Sequence, residues 1–292
     1  MKKTDMFLGI YILAAVMFLI IPLPTGLLDV LMALNISVSL IILFNALFSQ
    51  EVLNMSTFPM ILLFTTIFRI SLNVSSTRNI LTKGYAGEVV NAFGEFVGGG
   101  DMVVGIIVFI ILVLVQFMVI NKGSERVSEV QARFTLDAMP GKQMAIDADL
   151  NTGAITDAEA KVRREKIQAE SAFFGSMDGA TKYVKGDAVA GLIITMVNIV
   201  GGLIMGMTRE GLDMTTALNK YAIITIGDGL VSQIPSLLIS LSTGIMVTKV
   251  SKEADVGDLL MRELFSTPKV LYMVGAGLTV LGLFTKLPTI IF

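Results

Sequence analysis

The chain has 292 residues, 54% of them hydrophobic and only 16% charged, and its mean hydropathy of +0.78 excludes an ordinary soluble globular domain. A net charge of −2 supplies no basic field for nucleic acid. Neither cysteine nor histidine occurs, which removes disulfides, thiolate and imidazole metal sites, Cys–His and Ser–His nucleophiles and the usual pH switch; proton handling falls to carboxylates tuned by burial and by nearby Lys or Arg.

A hydrocarbon core of about 30 Å takes roughly 20 apolar residues of helix. The first such run, residues 6–21, follows Lys2 and Lys3, lacks a small-residue cleavage site and passes straight into more apolar sequence. It reads as a retained span, not a signal peptide. Further spans are predicted at residues 27–48, 52–73, 103–120, 188–207, 221–247 and 270–284. That makes seven, and "LFTKLPTIIF" opens an eighth apolar segment after Pro288 that stops at Phe292, as in a truncated or partial chain. Basic residues gather before the first span, throughout 121–186, and after residue 247 (Lys249, Lys252, Arg262, Lys269). The segments between are poor in them, so a cytoplasmic N-terminus places all three basic regions on one side. The expected fold is an all-α polytopic membrane bundle with a small helical cytoplasmic insert. Residues 1–120 would hold four spans, 121–186 the insert, and 187–292 spans five to seven and the start of an eighth. No internal repeat is evident, which counts against a carrier built from inverted halves.

Within the insert, "ERVSEVQARFTLDAM" predicts a helix stopped by Pro140 and Gly141. Thr156 with Glu159 three residues later predicts a capping box that opens a second charged helix. Few large apolar side chains are present, so the insert should lean on the membrane or on neighbours. "DADLNTG" resembles the start of a calcium loop, but its glycine falls one place late at Gly153 and Ala158 stands where the bidentate glutamate belongs; it reads as a turn. "FVGGGD" lacks the GK[ST] ending of a phosphate loop, and Asp101 reads as a helix cap. No cofactor and no enzymatic chemistry is expected, since isolated carboxylates give no case for hydrolysis.

The residues that need a reason are polar ones inside spans. In "FRISLNVSSTR" (residues 68–78), Arg69 and Asn73 share a helix face and Arg78 lies roughly 13 Å further along if the helix continues. Either the helix ends near Asn73 with both arginines snorkelling to the outer interface, or they face a protein-lined interior, where Asn35, Ser39 and Asn45 of the second span would meet them. Interhelical hydrogen-bonding glue is the plainer role for those three. Asp187, after Lys182 and Lys185, suits two compatible roles: the N-cap of the fifth span, and a carboxylate that loads and releases a proton or cation at the cytoplasmic mouth. Asp228 sits between Gly227 and Gly229 with Pro235 seven residues on, a pattern that can loosen a helix. A buried carboxylate there calls for a partner, with Arg69 and Arg78 the available cations.

Four stretches, "RISLNVSSTRNIL", "ERVSEVQARFTLDAMPGKQMAIDADLNTG", "FFGSMDGATKYVKGDA" and "TIGDGLVSQIP", resemble the FHIPEP family of export-gate proteins of flagellar and injectisome type III secretion, in the right order and over nearly the whole chain. The flagellar branch is the nearer likeness. The resemblance implies a bacterial inner-membrane protein with a cytoplasmic N-terminus that forms a ring, nine-fold in the family. Such a ring works beside other membrane components of the apparatus and couples proton or sodium motive force to export of unfolded subunits. It implies functional charges at Arg69, Arg78, Arg126, Arg133, Asp137, Asp178, Lys182, Asp187 and Asp228, with Lys185 in the same insert, and raises Asp187 as the ion-coupling carboxylate. Family members continue through an eighth span into a large cytoplasmic domain that docks chaperone–substrate complexes; this sequence stops where that span would begin. Two other readings remain open: an unrelated ion-coupled solute transporter, and a passive membrane scaffold.

Overall fold

Long apolar runs set where helices form, and local polar residues set where they start and stop. The computed structural model describes residues 3–98, 102–249 and 256–284. In chain order it has α1 (Lys3–Ile20), α2 (Thr25–Phe48), a 3-10 turn (Val52–Met55), α3 (Phe58–Lys83), α4 (Glu88–Gly98) and α5 (Met102–Val115). A π-helical stretch (Gln116–Asn121) leads into α6 (Lys122–Asn151), and α7 (Asp157–Thr208), α8 (Met214–Thr248), α9 (Val256–Phe265) and α10 (Pro268–Phe284) follow. No strand occurs among the described residues, so the chain is an all-α bundle with the composition of a membrane protein. Among the described residues, five helical runs are long and apolar enough to cross a membrane, and two shorter apolar stretches, Leu8–Ile20 and Pro268–Val280, stand where the first and seventh spans are predicted.

The helix ends have local causes. Pro59 sits in the first turn of α3, where no amide is missed. Gly84 closes that helix in the left-handed conformation (φ 60°), its amide donating to the Ile80 carbonyl at 2.9 Å. The capping box forms as the spacing predicts: the Glu159 amide donates to the Thr156 hydroxyl (3.3 Å) and the Thr156 amide to the Glu159 carboxylate (2.8 Å). Asp213 caps α8 by accepting from the Thr215 and Thr216 amides.

Several expectations need correction. The third span does not end near Asn73; α3 runs ten residues further, to Lys83, because its polar residues find protein partners. The amphipathic helix α4 was not foreseen. Pro140 and Gly141 do not stop α6, which passes through them to Asn151. Pro140 is exposed there, and water can serve the one carbonyl it leaves without a donor. Helix α7 runs from the insert past residue 187 without a break, so Asp187 caps nothing. Helix α8 is likewise continuous across Gly227, Gly229 and Pro235. Its glycine serves close approach, not loosening: a methyl group on Gly227 would lie 1.9 Å from the Val90 carbonyl oxygen of α4. The predicted Asp101 cap and the apolar segment after Pro288 lie outside the described residues.

Helix α8 is the hub, packing against α2 through α7. One apolar core joins Ile42, Phe58, Leu62, Phe174, Met177, Ile239 and Met246 near the base of the α6/α7 hairpin. Another joins Leu28, Leu72, Ile80, Val90, Tyr221 and Ile224. Between Leu62 and Ile80 most of the buried side chains of α3 are polar, and α8 adds Thr225, Asp228 and Ser236 between Ile224 and Ile239.

Candidate functional site

Helices α3, α7 and α8 and the π stretch build the site. Arg69 projects from α3 and Asp187 from α7, and the guanidinium Nη2 donates to the Asp187 Oδ2. Arg69 is 1% exposed, so the snorkelling alternative fails and this is a protein-buried ion pair. The pair lines a cavity of about 40 Å³ together with Asn73, Gln116, Asn121, Thr195, Ser232, Gln233 and Ser236. Several of their buried polar atoms have no protein partner: Arg69 Nε and Nη1, Asp187 Oδ1, Asn121 Nδ2 and Ser236 Oγ. Buried donors and acceptors left without protein partners are satisfied by water or an ion, and the volume is enough for water.

Asp228, on α8, takes neither arginine. Its carboxylate accepts from Asn198 Nδ2 of α7 at 3.1 Å, and the Ser76 hydroxyl of α3 lies beside it. Ser76 follows Arg69 by two turns of α3, about 10 Å along the helix. Two buried carboxylates are thus stacked along α3, one paired to a cation and one held by neutral groups.

The rest of the "FRISLNVSSTR" run pins the loop between α1 and α2. Arg78 Nη1 donates to the Ile20 carbonyl at 2.5 Å, where α1 ends, and Asn79 Nδ2 donates to the Leu23 carbonyl at 3.0 Å. Ser75 accepts from the Leu23 amide at 3.3 Å. Arg78 is therefore a helix-end clamp, as suits a cation at a C-terminus. On α2, the Ser39 hydroxyl is spent on its own helix at the Asn35 carbonyl (2.8 Å) and Asn45 is exposed, so this face does not meet Arg69 as anticipated.

The insert charges lie on the hairpin of α6 and α7. Lys185 bridges to Glu125 of α6 at 2.8 Å, and Lys182 pairs with Asp178 one turn back at 2.7 Å. The Asp178 carboxylate holds the Lys182 ammonium above its ordinary pKa. Arg126 and Arg133 both pair with Glu129, and Asp137 is exposed. In the calcium-like run, Asp147 and Asp149 pair with Arg164 and Arg163 across the hairpin, and no group of three metal-binding side chains exists among the described residues. Sequence reasoning missed Gln116, Asn121 and Asn198. The available signal was isolated amides in apolar sequence, two in "VLVQFMVIN" and one in "IITMVNIVGG".

Chemically, the site joins one cation and one carboxylate at a polar cavity, each with polar atoms that have no protein partner.

A model of the FHIPEP family matches residues 15–292. The flagellar biosynthesis protein FlhA of Bacillus subtilis is 52% identical over 287 residues, covering 98% of this chain and 42% of that protein. FlhA of Salmonella typhimurium is 50% identical over 288 residues, covering 97% and 42%. The low calcium response locus protein D of Yersinia pestis is 49% identical over 293 residues, covering 100% and 42%. The chain thus spans about two-fifths of the length of the relatives it matches. No solved structure matches.

Proposed function

The chain belongs to the FHIPEP family, and from that premise we propose that it is the membrane part of a flagellar type III export gate that couples ion movement to the export of unfolded subunits. Matches named FlhA support the flagellar assignment over the injectisome one. In this reading the protein resides in the bacterial inner membrane with its N-terminus and the α6/α7 hairpin in the cytoplasm. It assembles as a ring, nine-fold as in its family, beside the other membrane components of the apparatus. Chaperone–substrate complexes would engage the remainder of the full-length protein.

The observation that carries the coupling role is the Arg69–Asp187 pair at a polar cavity, with free donor and acceptor atoms on both partners. A buried pair is weak support for stability as such, since apolar replacements often do as well. Its placement inside membrane-spanning helices, where charge is costly, favours a working role. Protons or sodium ions reaching Asp187 would release Arg69 and alter packing among α3, α7 and α8.

The test is Asp187→Asn in the full-length protein, which preserves shape and removes the charge. Export and swimming are expected to fall by about tenfold or more with normal membrane levels, while Asp187→Glu should retain much of both. Export at normal rates from the Asn variant would remove ion coupling from this site. Saturable uptake of a small solute into liposomes by the protein alone would instead favour a carrier.

A further inference from the structure

The continuous helix from α5 into α6 carries two buried stripes that are out of register. On the first, Gly105, Phe109 and Gln116 follow one another at steps of four and seven; on the second, Asn121, Ser128 and Ala132 do so at steps of seven and four. Such steps keep one face of a 3.6-residue helix. The step from Gln116 to Asn121 is five, which in an unbroken α-helix would leave the two side chains about 140° apart. The π turn absorbs the extra residue: the Lys122 amide reaches back five residues to the Phe117 carbonyl. Both amides can therefore face α8. Gln116 Nε2 donates to the Gln233 carbonyl at 3.3 Å, and Asn121 Oδ1 accepts from Ser240 at 2.7 Å.

Among the described residues, none covers the outer side of this widened turn. Met118 and Val119 are 58% and 65% exposed. Removing one residue there would align both stripes on a regular helix, so packing alone does not call for the bulge. Its inner side is different: Gln116, Phe117 and Asn121 wall the cavity that holds Arg69 and Asp187. Beyond it, α6 runs into the hairpin, tied back by Ser124 to the Ser240 carbonyl and by Glu125 to Lys185.

We propose that the π turn is a movable joint that shifts along the helix in response to the charge state of the Arg69–Asp187 pair, with Gln116 and Asn121 as its positioning residues. Each residue that the turn passes rotates by about 100°, which swings an amide into or out of the cavity. The strain reaches the hairpin through α6, so the cavity and the cytoplasmic insert share one mechanical element. The trigger rests on the coupling reading above, whereas the joint itself is a property of the helix.

Hydrogen–deuterium exchange on the full-length protein in lipid nanodiscs tests it. Amides 117–122 are expected to exchange about tenfold or more faster than those of 106–113. In Asp187→Asn the rate at 117–122 should change by about threefold or more, leaving 106–113 unaltered. Equal protection of the two segments in the wild-type protein overturns the proposal, and so does a rate indifferent to Asp187→Asn. Deletion of Val119 should give an inserted chain with slow, α-helical exchange at 117–122 and export reduced by about tenfold; wild-type export from that inserted chain also overturns it. The wild-type comparison decides even where a variant fails to insert. Normal export from Asp187→Asn with the exchange change present would remove the coupling reading and leave the joint standing.

Discussion

Arg69 is the largest of the fully buried side chains, and its partner is 118 residues away in sequence. Breaking a buried pair from one side leaves an uncompensated charge and is expected to destabilise by about 3–5 kcal/mol. Arg69→Ala should therefore lower the thermal midpoint of the full-length protein markedly. The double change Arg69→Met with Asp187→Leu should recover most of that midpoint while export stays lost. A double variant that exports normally would reduce the pair to a packing device. At this scale the sequence marks which charges fall inside apolar runs, where Arg69, Asp187 and Asp228 are buried, and is silent about pairing. Arg69, Asp187 and Asp228 stand out because charge in an apolar run is costly. That Asp228 would settle on Asn198 and Ser76, and leave Arg78 to clamp α1, depends on helix rotation and depth, which span assignment does not fix.

Among the elements, α7 and α8 are joined by a short loop closed by its own charges. Lys220 donates to Glu210 at 2.8 Å and the Tyr221 hydroxyl donates to it at 3.2 Å. These contacts, the Lys220 hydrogen bond foremost, hold the Glu210 carboxyl below its ordinary value of 4.5. A depressed carboxylate contributes stability that is present above the unfolded value and lost as pH falls through the folded one. Amide protection of residues 209–213 is thus expected to persist at pH 4.5 and to fade only in more acid solution. Lys220→Ala should bring that loss up toward pH 4.5; protection indifferent to the substitution would show that the clasp is idle. Element boundaries were the least legible part of the fold. Hydropathy located the apolar stretches well, because length and composition alone define them. It could not show α3 continuing to Lys83 or α7 running unbroken through Asp187, since polar residues end a span in lipid but not inside protein.

The whole molecule places buried polar side chains of α3 and α8 between two apolar cores and a charged helical hairpin at one end. Apolar side chains of α1, α5 and α10 are exposed, as contact with lipid allows. Class, helix content and the basic insert were readable from composition and charge; the cavity was not, because it arises where α3, the π stretch, α7 and α8 converge. The most direct measurement is ion flux into sealed liposomes carrying the assembled full-length protein, read by a trapped dye under an imposed membrane potential. Wild-type protein is expected to pass protons or sodium ions, and Asp187→Asn to reduce that flux by about tenfold or more at equal assembly. Equal flux in the two, or none from the wild type, would contradict the account.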